Sequence, residues 1–149
     1  MKTTKLLLKK KEGCEDLPVP RYATFGSSGM DLYADVQGEI NLMPGDIKLI
    51  SSGIYVSIPQ GYEAEIRPRS GLALKHGISL VNTPGTIDSD YRGLLSIIII
   101  NHGKEPFVIR RGDRIAQMVI KEVVKAEIVV TEELDGTVRS VGGFGSTGK

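Results

Sequence analysis

An all-β fold of the sandwich, jelly-roll or barrel kind, in a single chain of 149 residues, is predicted by three observations. Val, Ile and Thr make up about a quarter of the sequence, and their β-branched side chains suit pleated strands better than helices. Strict alternation runs through residues 53–58 and Tyr62–Arg67, the mark of strands with one buried face. Turn residues punctuate the chain at short intervals, at Pro44-Gly45, Pro59-Gln60-Gly61, Pro84-Gly85, His102-Gly103 and Arg111-Gly112-Asp113.

The elements follow in order. Strands are predicted over residues 5–9, 39–42, 46–51, 53–58 and 62–67. Residues 70–75 are the one helical stretch, with Ser70 placed to cap it and Gly77 to end it. Further strands are predicted over 78–81, 94–101, 107–110, 114–124 and 126–131. The unbroken Ile97-Ile98-Ile99-Ile100 run predicts a strand covered on both faces, at the centre of a barrel or against another subunit. The pattern stops at Gly136, and residues 142–148 hold four glycines in seven positions, too many to pack a core. A β domain over 1–134 and a mobile arm over 135–149 are the expected division.

Composition excludes several classes of function. A formal charge of +1 argues against general nucleic-acid affinity. A lone Cys14 cannot form an intramolecular disulfide, and His76 and His102 have no spacing suited to zinc or haem; all three are assigned to packing or surface roles. The first residues lack a secretory pattern, and the longest apolar stretch, 94–100, falls far short of the ~20 residues that span a bilayer. A soluble cytoplasmic protein without membrane or nucleic-acid partners is expected.

Five clusters could carry chemistry. Residues 143–149 fit the G-x-x-x-x-G-K spacing of a P-loop, but that loop needs a preceding buried strand, a closing hydroxyl and a following helix, which this sequence does not supply. The glycines would still let backbone N–H groups approach a polyphosphate, with Arg139, Ser146 and Thr147 beside them. Phe144, an aromatic among glycines, is suited to stacking on a base; the alternative is an unstructured tail. Arg67-Pro68-Arg69-Ser70-Gly71-Leu72 puts two guanidiniums beside a helix start, an anion-binding combination or simply a solvated basic turn. Residues 82–93 place Asn82, Asp88, Asp90 and Tyr91 between two strands, where backbone groups can pair with a base edge and one carboxylate can activate water; the same residues also form ordinary turns. Two smaller clusters, 28–34 around Asp31 and 111–117 ending at Gln117, each hold one carboxylate on a tight turn.

Taken in order, these five segments resemble the five motifs of the trimeric deoxyuridine triphosphatases (dUTP pyrophosphatases). The resemblance runs from about Val19 onward and is sharpest at Arg69-Ser70-Gly71-Leu72-Ala73, at Ile87-Asp88-Ser89-Asp90-Tyr91 and over residues 142–148. It implies a jelly-roll-like subunit, a homotrimer with active sites shared at the interfaces, and hydrolysis of dUTP to dUMP and pyrophosphate. Such an enzyme lowers dUTP, limiting uracil in DNA, and supplies dUMP for thymidylate synthesis. By the same likeness Asn82, Thr86, Ile87 and the backbone to Asp88 read uracil, and Tyr91 excludes a 2′-hydroxyl. Asp88 activates the attacking water. Arg69, Ser70, Gly71 and Gln117 hold phosphates, and Asp31 binds waters of a Mg²⁺ carried mainly by the substrate. Phe144 and Gly145 cover the uracil end, with Arg139, Ser146 and Thr147 on the β- and γ-phosphates. The family's arm commonly has Gly after its arginine, where this chain has Ser140.

Two other readings stand beside this one. The related dCTP deaminases carry Arg-Ser-Ser at the position of Arg69-Ser70-Gly71 and use a Glu at the base, whereas this hairpin offers Asp88 and Asp90 only. A non-catalytic nucleotide-binding module would bind dUTP without turnover.

Overall fold

The computed structural model describes residues 2–143. Strands β1 (Leu7–Lys10), β2 (Met30–Tyr33), β3 (Glu39–Leu42), β4 (Ile47–Ser57) and β5 (Tyr62–Arg67) precede helix α1 (Ser70–His76). Strands β6 (Ile78–Leu80), β7 (Gly85–Ile87), β8 (Leu94–Asn101), β9 (Phe107–Arg110) and β10 (Arg114–Glu122) follow it. Every ladder is antiparallel, in two four-stranded sheets ordered β1-β4-β8-β6 and β2-β10-β5-β7, with a β3-β9 ribbon. One core joins them: Leu32, Ile66, Ala116 and Met118 from one sheet meet Ile50, Val56, Leu95, Ile97 and Ile99 from the other. This is the all-β, jelly-roll-like architecture that the alternation predicts.

The details depart from the sequence reading in five places. The predicted strands 46–51 and 53–58 are one strand, β4, whose register against β8 slips between Ser51 and Tyr55. Gly53 sits inside that irregularity at φ 69°, and a Cβ there would lie 2.8 Å from the Cys14 sulfur, so a side chain is excluded twice over. Helix α1 is capped by Arg69 in extended conformation without a side-chain cap bond, so Ser70 is the first helical residue and not the cap; Gly77 ends the helix as expected. Strands β2 and β7 lie in segments read as turns. Residues 126–131 form no strand; Ile128 and Val130 are exposed, because no edge of this chain pairs with them. Strand β8 alternates, with Leu95, Ile97, Ile99 and Asn101 buried and Ser96, Ile98 and Ile100 half-buried, so the isoleucine run is covered on one face only within the chain.

Polar groups inside the fold are fully engaged. Asn101 is buried, donating through Nδ2 to the carbonyls of Leu42 and Glu105, each at 2.9 Å, and accepting the Gly103 N–H at 2.8 Å. His76 is exposed and lies at a tilt against Phe107, and Cys14 is buried, within the packing or surface roles assigned to them. No helix among the described residues is long and apolar enough to cross a membrane.

A second polar knot ties the N-terminal loop to the β9–β10 turn. Arg111 donates to both carboxylate oxygens of Asp16, at 2.9 and 2.7 Å, and to Asp35 at 2.7 Å. Asp35 also accepts from Lys11 at 2.7 Å and Ser51 at 3.0 Å, and its side chain is only 6% exposed. Burial opposes ionisation of Asp35, but the Lys11 and Arg111 cations outweigh it and hold the carboxyl well below the usual carboxylate range. A folded pKa depressed below the unfolded one stabilises the protein above the unfolded value of about 4, and that contribution is lost as pH falls toward the folded value. Asp35→Asn is therefore expected to lower Tm by several degrees at pH 7, with the gap to the parent closing steadily below pH 4; thermal scans between pH 7 and pH 2.5 check this. A gap independent of pH would assign the loss to packing alone.

Candidate active site

The outer face of the β2-β10-β5-β7 sheet is polar because alternate residues of its strands turn away from the core. Gln117 on β10 is registered opposite Asp31 on β2 and Arg67 on β5, so these three residues form a row across the sheet. Asp31 is in a strand, not on the turn expected from sequence. Its two carboxylate oxygens are occupied: Arg69 Nε donates to one at 2.8 Å and Arg114 Nη1 to the other at 3.1 Å. Arg69 also reaches the Arg114 carbonyl at 3.2 Å, which fixes its planar fork at the end of β5. Gln117 Nε2 donates to the Pro68 carbonyl at 2.9 Å and so holds the loop that carries Arg69 and Ser70.

This loop borders a cleft of about 550 Å³ lined by Glu65, Arg67, Ser70, Thr83, Pro84 and Gln117, among others. Glu65 is buried on the sheet face, accepting from Lys121 at 2.8 Å and from Arg67 Nε at 2.8 Å. Lys121 and then Arg67 hold its carboxyl below the usual range, so it stays charged and pins Arg67 in place. Arg67 and Ser70 line this cleft, and Arg69 and Arg114 lie on the neighbouring β2-β10 side, paired with Asp31; guanidinium and hydroxyl donors of this kind suit a polyanion.

The hairpin of residues 82–93 stands beside this cleft. Its base is set by β7, where Thr86 is registered opposite Glu65 and Ile87 opposite Ala64. Thr83 Oγ1 donates to the Leu80 carbonyl at 2.6 Å, and the Tyr91 N–H bonds the Asp88 carbonyl at 3.2 Å to close the tip. Asp88 is exposed on that tip and forms no ion pair among the described residues. Asn82 and Gly71 are exposed beside it and on α1 respectively.

Of the residues singled out from sequence, one chain thus brings Ser70 and Gln117 to the cleft, with the Asp31–Arg69 pair beside Gln117 on the sheet, and holds Asn82, Thr86, Ile87, Asp88 and Tyr91 on the hairpin. Arg139 is joined to neither; it is exposed, and its Nε donates to the Gly142 carbonyl at 2.8 Å. Ser140 has φ 45°, the left-handed region where Gly is favoured. Phe144, Gly145, Ser146 and Thr147 lie outside the described residues. Sequence reasoning missed Arg114 and Glu65 as site residues. The alternation of Glu63, Glu65 and Arg67 marks one face of β5, yet the partners Asp31 and Lys121 come from distant strands and leave no local signal.

No group of three His, Cys, Asp or Glu side chains able to hold a metal ion occurs among the described residues. Both oxygens of Asp31 are bonded to guanidiniums, so its carboxylate is not free for direct ligation of a metal ion. Mg²⁺ keeps several waters and is often carried by substrate phosphates.

Fold and face together define a jelly-roll-like β protein with a polar cleft, bordered by an arginine-bearing loop, beside a carboxylate-bearing hairpin. The dUTPase family model matches residues 15–148. A protein of Caldanaerobacter subterraneus subsp. tengcongensis named deoxyuridine 5′-triphosphate nucleotidohydrolase is 56% identical over 143 residues, spanning 96% of this chain and 97% of that protein. A protein of the same name from a Thermoanaerobacter species is 57% identical with the same coverage. Among solved structures, a mutant dUTPase of Staphylococcus bacteriophage 80alpha with dUpNHpp superposes with a TM-score of 0.87 at 25% identity, covering 99% of this chain and all of that one. The chain belongs to the dUTPase family.

Proposed function

We propose that this chain hydrolyses dUTP to dUMP and pyrophosphate, the dUTP diphosphatase reaction. The observation that carries this is the pairing, in a member of the dUTPase family, of the Asp31-Arg69-Gln117 phosphate face with the exposed Asp88 and Tyr91 of the hairpin. Asp88 takes a proton from water as its oxygen bonds the α-phosphorus; the bond from that phosphorus to the bridging oxygen breaks, and pyrophosphate leaves. Arg69, Ser70, Gly71 and Gln117 orient the triphosphate. Asp31 would hold the waters of a Mg²⁺ ion, which when bound would supply neutralisation of the phosphate charge. The hairpin backbone with Asn82, Thr86 and Ile87 pairs with the uracil edge. Cytosine would leave buried polar groups unpaired, and the thymine methyl would meet a rigid wall. Arg139, Phe144, Gly145, Ser146 and Thr147 close over the nucleotide as an arm, residues 135–149, on a body of residues 1–134.

The working unit is a homotrimer with shared sites, acting in the cytoplasm. Supporting this, Asp88 forms no bond to the arginine face of its own chain, and Ile98, Ile100 and the exposed Leu49 give β4 and β8 an apolar outer face suited to another copy. Sedimentation should give about three times the 16.1 kDa chain mass; full activity in a monomer would contradict shared sites. The direct test is pyrophosphate release from dUTP, dCTP, dTTP and UTP, with and without Mg²⁺. Fast Mg²⁺-dependent release from dUTP alone is expected. Tight dUTP binding without release would identify a binding module, and ammonia release from dCTP a deaminase.

A further inference from the structure

The Tyr91 side chain is 43% exposed, yet its position is held from several directions. Its hydroxyl donates to the Leu94 carbonyl at 3.1 Å, folding the ring back along the chain. Arg92 Nη1 donates to the carbonyls of Ser89 and Tyr91, both at 2.7 Å, so the backbone beneath the ring is braced. Between Tyr91 and Leu94 lies Gly93. A methyl group there would sit 2.5 Å from Tyr91 Cζ and 2.8 Å from Cε2, and would overlap Oη. Carbon atoms in contact stand about 3.5–4.0 Å apart, so the ring as placed requires the missing Cβ.

The backbone of Gly93 is outside the left-handed region, so alanine fits its conformation. The three atoms nearest to such a methyl all belong to the far end of the Tyr91 side chain, which can rotate away. The same arrangement occurs at the phosphate face: a Cβ on Gly29 would overlap Gln117 Oε1 and lie 3.2 Å from Cδ. In both places a side chain assigned to the substrate rests on a residue that has no side chain.

We propose that Gly93 is a specificity-determining position: with the Leu94 carbonyl it holds the Tyr91 ring in the pose that excludes a 2′-hydroxyl, and so sets discrimination between deoxyribo- and ribonucleotide substrates. Gly93 acts through Tyr91 and is a positioning residue. The proposal rests on the reading of Tyr91 as the deoxyribose filter, and the experiment separates the two.

The measurement is kcat/KM for dUTP and for UTP, by pyrophosphate release, in the full-length parent, Gly93→Ala, Tyr91→Ala and the double variant. Gly93→Ala is expected to lower the dUTP:UTP ratio by about tenfold or more, with Tm unchanged, and to add nothing to the ratio in the Tyr91→Ala background. An equal loss on both substrates would overturn the proposal, because a merely structural defect does not change a ratio. If Tyr91→Ala collapses the ratio and Gly93→Ala leaves it intact, Gly93 has no such role while the reading of Tyr91 stands. If Tyr91→Ala itself leaves the ratio intact, the filter reading fails and the proposal with it. Should Gly93→Ala not fold, Tyr91→Phe removes the bond to Leu94 over an intact Gly93; a severalfold fall in the ratio supports the held pose, and an unchanged ratio overturns it.

Discussion

Asp88→Asn is expected to lower kcat for dUTP by about 10²–10⁴-fold while nucleotide binding stays within a few-fold of the parent. Asn keeps the size and the hydrogen-bonding reach of the carboxylate but cannot take a proton from water. The backbone around it has no reason to move: the tip is closed by the Tyr91 N–H to the Asp88 carbonyl and by Arg92 on the carbonyls of Ser89 and Tyr91, none of which involves the Asp88 side chain. Because that side chain is exposed and forms no ion pair among the described residues, the substitution leaves no buried charge unpaired and Tm should not change. The check is single-turnover kinetics with dUTP beside the Kd of a non-hydrolysable analogue. Near-normal turnover would remove Asp88 from the base role and move attention to Asp90, whose Asn variant is expected to stay close to the parent.

How far the sequence reveals this molecule depends on the range of the interactions involved. Strand β5 was legible because Ala64 and Ile66 alternate with Glu63, Glu65 and Arg67, and that period is a property of six consecutive residues. Strands β2 and β7 were not, since Met30–Tyr33 and Gly85–Ile87 are short, carry Asp and Gly, and are strands only because β10 and β5 pair with them. Residues 126–131 fail in the opposite direction, with strong β propensity and no partner strand in this chain. The two arginines beside the start of α1 were legible from local composition. What fixes their loop was not: Asp31, Arg114 and Gln117 come together through β2 and β10, and nothing near position 31 announces a double guanidinium clasp. Asp35 and Arg111 likewise meet from 76 positions apart.

Truncation before Val141 tests the remaining third of the proposed site, and its largest effect should fall on catalysis with almost none on stability. The described part of the arm makes only local bonds: Arg139 to the Gly142 carbonyl, and the Ser140 N–H to Thr137. Val138 and Val141 are fully exposed, so the described residues of the removed segment, 141–143, give up no core contact, and the thermal midpoint is expected to stay within a degree or two. The removed segment carries Phe144, Gly145, Ser146 and Thr147, the proposed cover on the base and the hydroxyl and N–H donors to the outer phosphates. Losing several donors aimed at developing phosphate charge, together with exclusion of water, is expected to lower kcat/KM for dUTP by about a hundredfold or more. Arg139 remains in the truncated chain, so Arg139→Ala in the full-length protein separates its charge from the cover; it should weaken turnover less than truncation does. An unchanged kcat/KM after truncation would mean that Asp88, Arg69 and Gln117 complete the reaction without an arm, and would remove residues 135–149 from the site.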